Sequence, residues 1–123
     1  MQIHNSFVWC FFYIFSGVTL TDQVELLNAI TGWEMGPKEI MEIGERITNL
    51  QRGFNVKMAI TKKDDVLPNR LMTPHKGGGA QGRMPPMAAM MEEFYAARDW
   101  VNGIPSKKKL LELKLEEVSW DLY

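Results

Sequence analysis

Apolar residues crowd into one uncharged block near the start of the chain and then recur at three- and four-residue steps. The block runs from Phe7 to Leu20 and includes Phe7, Trp9, Cys10, Phe11, Phe12, Ile14 and Phe15. It is about fourteen residues long, short of the ~20 that a membrane-spanning helix needs. No Lys or Arg precedes it and no small-x-small site follows it, so neither a secretory signal nor an anchor is expected and the block reads as a buried segment. Beyond it, Val24, Leu27 and Ile30 fall at helical spacing, with Thr21 placed as N-cap, Asp22 and Glu25 in the first turn and Gly32 at the end. Gly36-Pro37 opens a longer helix in which Ile40, Ile43, Ile47 and Leu50 form one stripe, and Gly53 stands where a C-terminal cap belongs. Gly44 inside that helix costs about 1 kcal/mol relative to Ala, which points to close approach of a neighbouring backbone.

From Asn55 to Ile60 the alternation of Val56, Met58 and Ile60 is too brief for a sheet and reads as extended or irregular. Thr61 to Pro86 has no apolar period and is a long connection rich in charge, Pro and Gly. Met87 to Trp100 returns to helix, with Met87, Met90, Met91, Phe94 and Tyr95 on one face. A last helix begins with Ser106 as N-cap, buries Leu110, Leu111 and Leu113, and runs toward Val118 and Trp120. The pattern predicts one all-α domain over residues 1–123, with four or five helices and a long irregular central loop.

Composition changes this picture little. A chain of 123 residues with 46% hydrophobic and 24% charged side chains is an ordinary globular protein able to build one core. Fourteen basic and fifteen acidic side chains give a formal net charge of −1, which provides no overall field for a polyanion, so nucleic acid and membrane are not expected as partners. The single cysteine, Cys10, has no partner for an internal disulfide, in keeping with a reducing cytoplasm.

Candidate chemistry is sparse. His4 and His75 have no Cys or His at metal-ligand spacing. Asp64-Asp65 reads as a charge cluster neutralised by Lys62, Lys63 and Arg70 rather than as a cation site. Gly77-x-Gly79-x-x-Gly82 satisfies a dinucleotide fingerprint only literally, since no strand precedes it and Pro85-Pro86 follows, and it reads as a flexible loop. The methionines at helical spacing read as core, and Lys107-Lys108-Lys109 as a solvated first turn. No catalytic residue is assigned. Taken alone, Cys10 among Phe, Trp and Ile is a small hydrophobe.

Three blocks add a different kind of information. They are Glu25-Leu26-Leu27-Asn28-Ala29-Ile30-Thr31-Gly32-Trp33, then Gly44 through Val56 with Arg52-Gly53-Phe54-Asn55, then Asp64-Asp65-Val66-Leu67-Pro68-Asn69-Arg70. In this order and spacing the chain resembles the C-terminal region of the tungsten-containing aldehyde:ferredoxin oxidoreductases. The resemblance implies a helical C-terminal domain of an enzyme that oxidises aldehydes to carboxylates at a tungsten (or molybdenum) held by two pterins. Electrons then leave through a four-iron four-sulfur cluster to ferredoxin. The family's Asp-x-x-Gly-Leu-Cys motif matches Asn5-Ser6-Phe7-Val8-Trp9-Cys10, with Asn for Asp and Val for Gly. By this resemblance Cys10 is one cluster ligand and Asn5 a pterin contact, while the other three ligands come from elsewhere in a complete enzyme. A cubane cluster needs four ligands, so the isolated chain is expected to carry no cofactor and to be inactive. Its expected partners are the remaining domains or subunit of the oxidoreductase and, indirectly, ferredoxin, with a homodimer across Phe7 to Phe15 when alone. A noncatalytic helical interaction module that retains the fold without cofactors is the alternative reading.

Overall fold

The structure is a computed structural model and describes residues 2–123, apart from the side chain of Tyr13. Six α-helices occur among the described residues: α1 (Gln2–Ser6), α2 (Leu20–Thr31), α3 (Pro37–Lys57), α4 (Met87–Ala97), α5 (Lys107–Glu112) and α6 (Glu116–Leu122). A 3-10 helix spans Phe11–Ser16, and strands β1 (Trp100–Val101) and β2 (Ile104–Pro105) form the only sheet among the described residues. The all-α expectation holds, with more helices than the apolar periods suggest.

The 21-residue α3 is the axis, against which α1, α2, α6 and β2 pack. Val24, Leu27 and Ile40 make the buried cluster between α2 and α3, with Ile3, Phe7, Trp9, Leu20, Met35 and Ile43 closing over it. The loop joining the two helices is fixed by Asn28. Its side-chain amide donates to the Met35 carbonyl (2.8 Å) and its oxygen accepts from the Met35 N–H (3.1 Å).

Several boundaries differ from the sequence reading, each for a physical reason. Thr19, not Thr21, caps α2: its hydroxyl oxygen accepts from the Asp22 N–H (3.2 Å) while its own N–H donates to the Asp22 carboxylate (2.7 Å). That reciprocal box satisfies two orphan donors, which Thr21 has no partner to do. Gly53 does not end α3, which continues to Lys57 and takes in part of the stretch read as extended or irregular. Gly53 is there for contact: a Cβ at this position would lie 2.3 Å from Val118 Cγ1 on α6. At Gly44 the close neighbour is a side chain rather than a backbone, with Ile3 Cγ1 3.0 Å from where a Cβ would stand.

Met87 to Trp100 is not one helix. Beyond Ala97 the chain turns into an antiparallel ribbon, Trp100 facing Pro105 and Val101 facing Ile104, around Asn102-Gly103. Both turn residues have positive φ (53° and 79°), the geometry of the tight hairpin turns that Asn-Gly favours. Ser106 caps α5 as expected, accepting from the Lys109 N–H (3.0 Å), but the last helix is broken at Lys114, whose φ is 56°. The break lets α6 fold back onto α3, where Arg46 Nε donates to the Leu113 carbonyl (2.8 Å).

Candidate functional site

Asn5 and Cys10 lie on one exposed turn that leads from α1 into the 3-10 helix. The Trp9 N–H bonds the His4 carbonyl (2.9 Å) and the Val8 N–H the Asn5 carbonyl (3.4 Å), and Val8 adopts φ 58°. This is the six-to-one and five-to-two pattern of a left-handed helix terminus, in which glycine normally occupies the central position. Val8 holds that conformation with its side chain 90% exposed, so no packing compensates the strain of a β-branched residue there. Val8→Gly should therefore stabilise the fold. Relief of about 1–3 kcal/mol of strain outweighs the roughly 1 kcal/mol of extra backbone entropy that glycine loses. A urea titration checks it, the expected result being a raised midpoint at constant slope.

Cys10 is a free, exposed cysteine just before the 3-10 helix, and its side chain makes no capping hydrogen bond. It is not the core hydrophobe that composition alone suggests. Phe7 and Trp9 pack against the core as a tilted pair with ring centres 5.1 Å apart, and His4 and Phe11 meet edge to face at 5.5 Å. Val8, Phe12 and Phe15, by contrast, face outward with Phe12 and Phe15 more than 70% exposed. The expectation of a buried segment fails: the described residues of this block are half-buried or exposed, because a six-residue 3-10 helix lying on one side of the protein cannot bury side chains all round. Among the described residues no group of three or more His, Cys, Asp and Glu is placed to hold a metal ion. His75 lies in the central loop, near neither Cys10 nor Asn5 in sequence, where its backbone bridges Gln81 and its carbonyl accepts from the Gly82 N–H (3.0 Å).

A second constellation, unassigned from sequence, anchors the central loop. Arg52, only 7% exposed, makes a two-pronged ion pair to Asp65 (2.7 and 2.6 Å) and donates from Nε to the Gly103 carbonyl (2.6 Å). Its guanidinium lies 5.3 Å from the Trp100 ring centre, and Trp100 Nε1 donates to Asn49 (2.8 Å). The Tyr95 hydroxyl also donates to Asp65. Asp64 turns away and accepts from the Thr61 N–H and hydroxyl (2.8 and 2.9 Å). The paired carboxylates thus part company, and the cation that neutralises Asp65 is Arg52 rather than Lys62, Lys63 or Arg70.

Burial pushes the Asp65 carboxyl up, but the hydrogen bonds from Arg52 and Tyr95 outweigh it and leave its pKa below the ordinary value. Desolvation and the Asp65 carboxylate raise Tyr95 to about 12 from 10. The signs follow. Asp65 contributes stability present above the unfolded carboxylate pKa near ~4 and lost as pH falls through its lower folded value. Tyr95 contributes stability fully present below pH 10 and lost as pH rises toward about 12. Tyr95→Phe is expected to flatten the alkaline limb of a stability-versus-pH curve between pH 10 and about 12, measured by denaturant midpoints.

Both members of the ion pair, and Gly53 beside it, come from the sequence blocks singled out above. The blocks therefore mark contacts that hold the fold as much as chemistry.

Comparison with known proteins decides the family. Residues 1–115 match the model described as aldehyde ferredoxin oxidoreductase, domains 2 and 3. The chain belongs to this family. It is 37% identical over 111 residues to a tungsten-containing aldehyde ferredoxin oxidoreductase of Pyrococcus abyssi, covering 88% of this chain and 18% of that protein. Enzymes of the same description from Pyrococcus furiosus and Thermococcus kodakarensis are 36% and 33% identical over the same shares. The chain thus spans under a fifth of the length of the curated relatives it matches. In this chain Asn5 and Cys10 flank a turn in which Val8 takes the left-handed position. No helix of the described residues is long and apolar enough to cross a membrane.

Proposed function

We propose that this chain is the cluster-facing part of an aldehyde-oxidising oxidoreductase of the cytoplasm and that it does not catalyse the reaction alone. The observation that carries the reading is Cys10: a free thiol, exposed beside a hydrogen-bonded turn, in a chain of this family. When bound, a tungsten or molybdenum bis-pterin supplies the oxidation of aldehyde to carboxylate, and a four-iron four-sulfur cluster passes electrons on to ferredoxin. Cys10 fits one thiolate ligand of that cluster, since its side chain is exposed, free of a disulfide and makes no capping hydrogen bond. The remaining three ligands lie outside this chain, because a cubane needs four. Phe7, Trp9 and Phe11 are apolar neighbours of Cys10 in sequence, and the apolar shell around a cluster tunes its potential. Asn5 retains a hydrogen-bonding side chain for pterin contact, while the projecting Val8 takes up space that glycine leaves to a ligand.

Exposed Val8, Phe12 and Phe15 fit a face covered by the remaining domains or subunit, and by a second copy when the chain is alone. The test uses iron content as well as activity. The purified chain should hold neither iron nor tungsten by elemental analysis. Assembled with the polypeptide that supplies the other ligands, Cys10→Ser should keep its helical circular dichroism and lose the cluster absorbance. An unchanged cluster spectrum in that complex would overturn the ligand assignment and favour the noncatalytic interaction module.

A further inference from the structure

Charge is segregated along this chain in a way its net value hides. Residues 61–86 carry five basic side chains, Lys62, Lys63, Arg70, Lys76 and Arg83, against two carboxylates. The remainder holds nine basic and thirteen acidic residues. Both carboxylates of the central loop are already engaged, Asp64 with Thr61 and Asp65 with Arg52 and Tyr95. Arg70, Lys76 and Arg83 are exposed, and none forms an ion pair among the described residues.

Local folding gathers these cations. Turns at Leu71 N–H to Pro68 carbonyl (2.8 Å) and Met72 N–H to Asn69 carbonyl (3.1 Å) present Arg70. The Gly82 N–H bonds the His75 carbonyl (3.0 Å), folding the glycine run back so that Arg83 follows beside His75 and Lys76. Arg70, His75 and Lys76 line one open recess of about 290 Å³ with Thr73 and Pro74, and no carboxylate borders it. The other basic run behaves differently. Lys108 and Lys109 stand 3.7 and 3.9 Å from Glu112, so α5 carries a carboxylate beside its own lysines.

We infer that the central loop is a docking surface for an acidic protein, whose carboxylates seat against Arg70, Lys76 and Arg83. An unbalanced patch on a chain of nearly zero net charge steers a partner of opposite sign and orients it, because the field is local. The cations stand on long exposed stems rather than converging from buried positions, which suits a broad surface more than a single phosphate. Nucleic acid fits less well: residues 61–86 contain no Phe, Tyr or Trp on which bases stack. The surface is independent of Cys10 and stands whether or not the cofactor reading does.

Fluorescence anisotropy with labelled poly-L-glutamate tests it on the full chain. The R70E/K76E/R83E variant should weaken binding about tenfold or more, and the neutral R70Q/K76Q/R83Q variant should weaken it less but in the same direction. A control with the same change in net charge, K107E/K108E/K114E, should weaken it less than about threefold, because distant exposed charges are screened. Equal losses in loop and control variants would overturn the proposal. So would tighter binding of a labelled single-stranded oligonucleotide than of poly-L-glutamate, or an unchanged affinity in both loop variants.

Discussion

Arg52→Ala is expected to destabilise the protein by about 3 kcal/mol, since removing one member of a buried pair strands the other. Asp65 loses both guanidinium bonds, the Gly103 carbonyl loses its only side-chain donor among the described residues, and the Trp100 ring loses the cation beside it. A domain of this size has roughly 5–15 kcal/mol in hand, so the loss is a large share and corresponds to a fall of about 10 °C in Tm. Calorimetry measures it. Arg52→Lys should recover little, because an ammonium cannot span both oxygens of Asp65 and reach Gly103 at once. The same variant should free the central loop: Lys62 and Lys63 should become faster sites of tryptic cleavage than in the parent chain. A Tm within about 2 °C of the parent would refute the anchoring role.

Gly53→Ala should also destabilise, although Ala is the better helix former by about 1 kcal/mol. The new methyl would meet Val118 Cγ1 at 2.3 Å, far inside contact distance, with Val118 Cβ at 3.7 Å and Leu122 Cδ1 at 3.9 Å beyond it. Val118 is β-branched on a helix and has one strongly preferred rotamer, so it does not turn aside cheaply. Instead α6 must move out, and with it the buried Ser119 and the exposed Lys57–Asp121 pair. Overpacking of this kind costs about 1–3 kcal/mol, and the net loss expected is about 2 kcal/mol. Removing the obstacle reverses the sign. In a Val118→Ala background, Gly53→Ala should be neutral or stabilising, and the double-mutant cycle should give an interaction energy of about 2 kcal/mol. Additive effects of the two changes would show that α3 and α6 do not meet here as described.

Much of the fold was legible because helices announce themselves locally. The stripe Ile40, Ile43, Ile47, Leu50 and the pair Gly36-Pro37 located α3, and Gly32 marked the end of α2 with φ 73°. Ser106 was readable as a cap for the same reason: the hydroxyl and the N–H it serves lie three residues apart. The Asn102-Gly103 hairpin carried an equally local signal, two turn residues between Trp100-Val101 and Ile104-Pro105, and was missed because the helical period of Met87 to Tyr95 was extended past Ala97. At the candidate site, Cys10 and Asn5 were reached through family resemblance rather than through their own chemistry. A lone thiol and a lone amide carry no spacing to interpret. The structure adds their shared exposed turn and the strained Val8 between them.

By itself the sequence determined the helical class, the positions of α2 and α3, the irregular central stretch and the family. Only the tertiary structure decided what Gly53, Arg52 and Asp65 are for. Gly53 reads as a helix end until α6 is laid across it, since the reason for its missing side chain lies 65 positions away at Val118. The Arg52 side chain has no partner in its own helix turn among the described residues; Asp65 reaches it from the central loop, and Gly103 and Trp100 from the hairpin. Caps and amphipathic stripes arise from interactions within one or two turns and are written into neighbouring residues. Close approach of helices and a buried ion pair are settled between distant segments, at distances that no local pattern encodes.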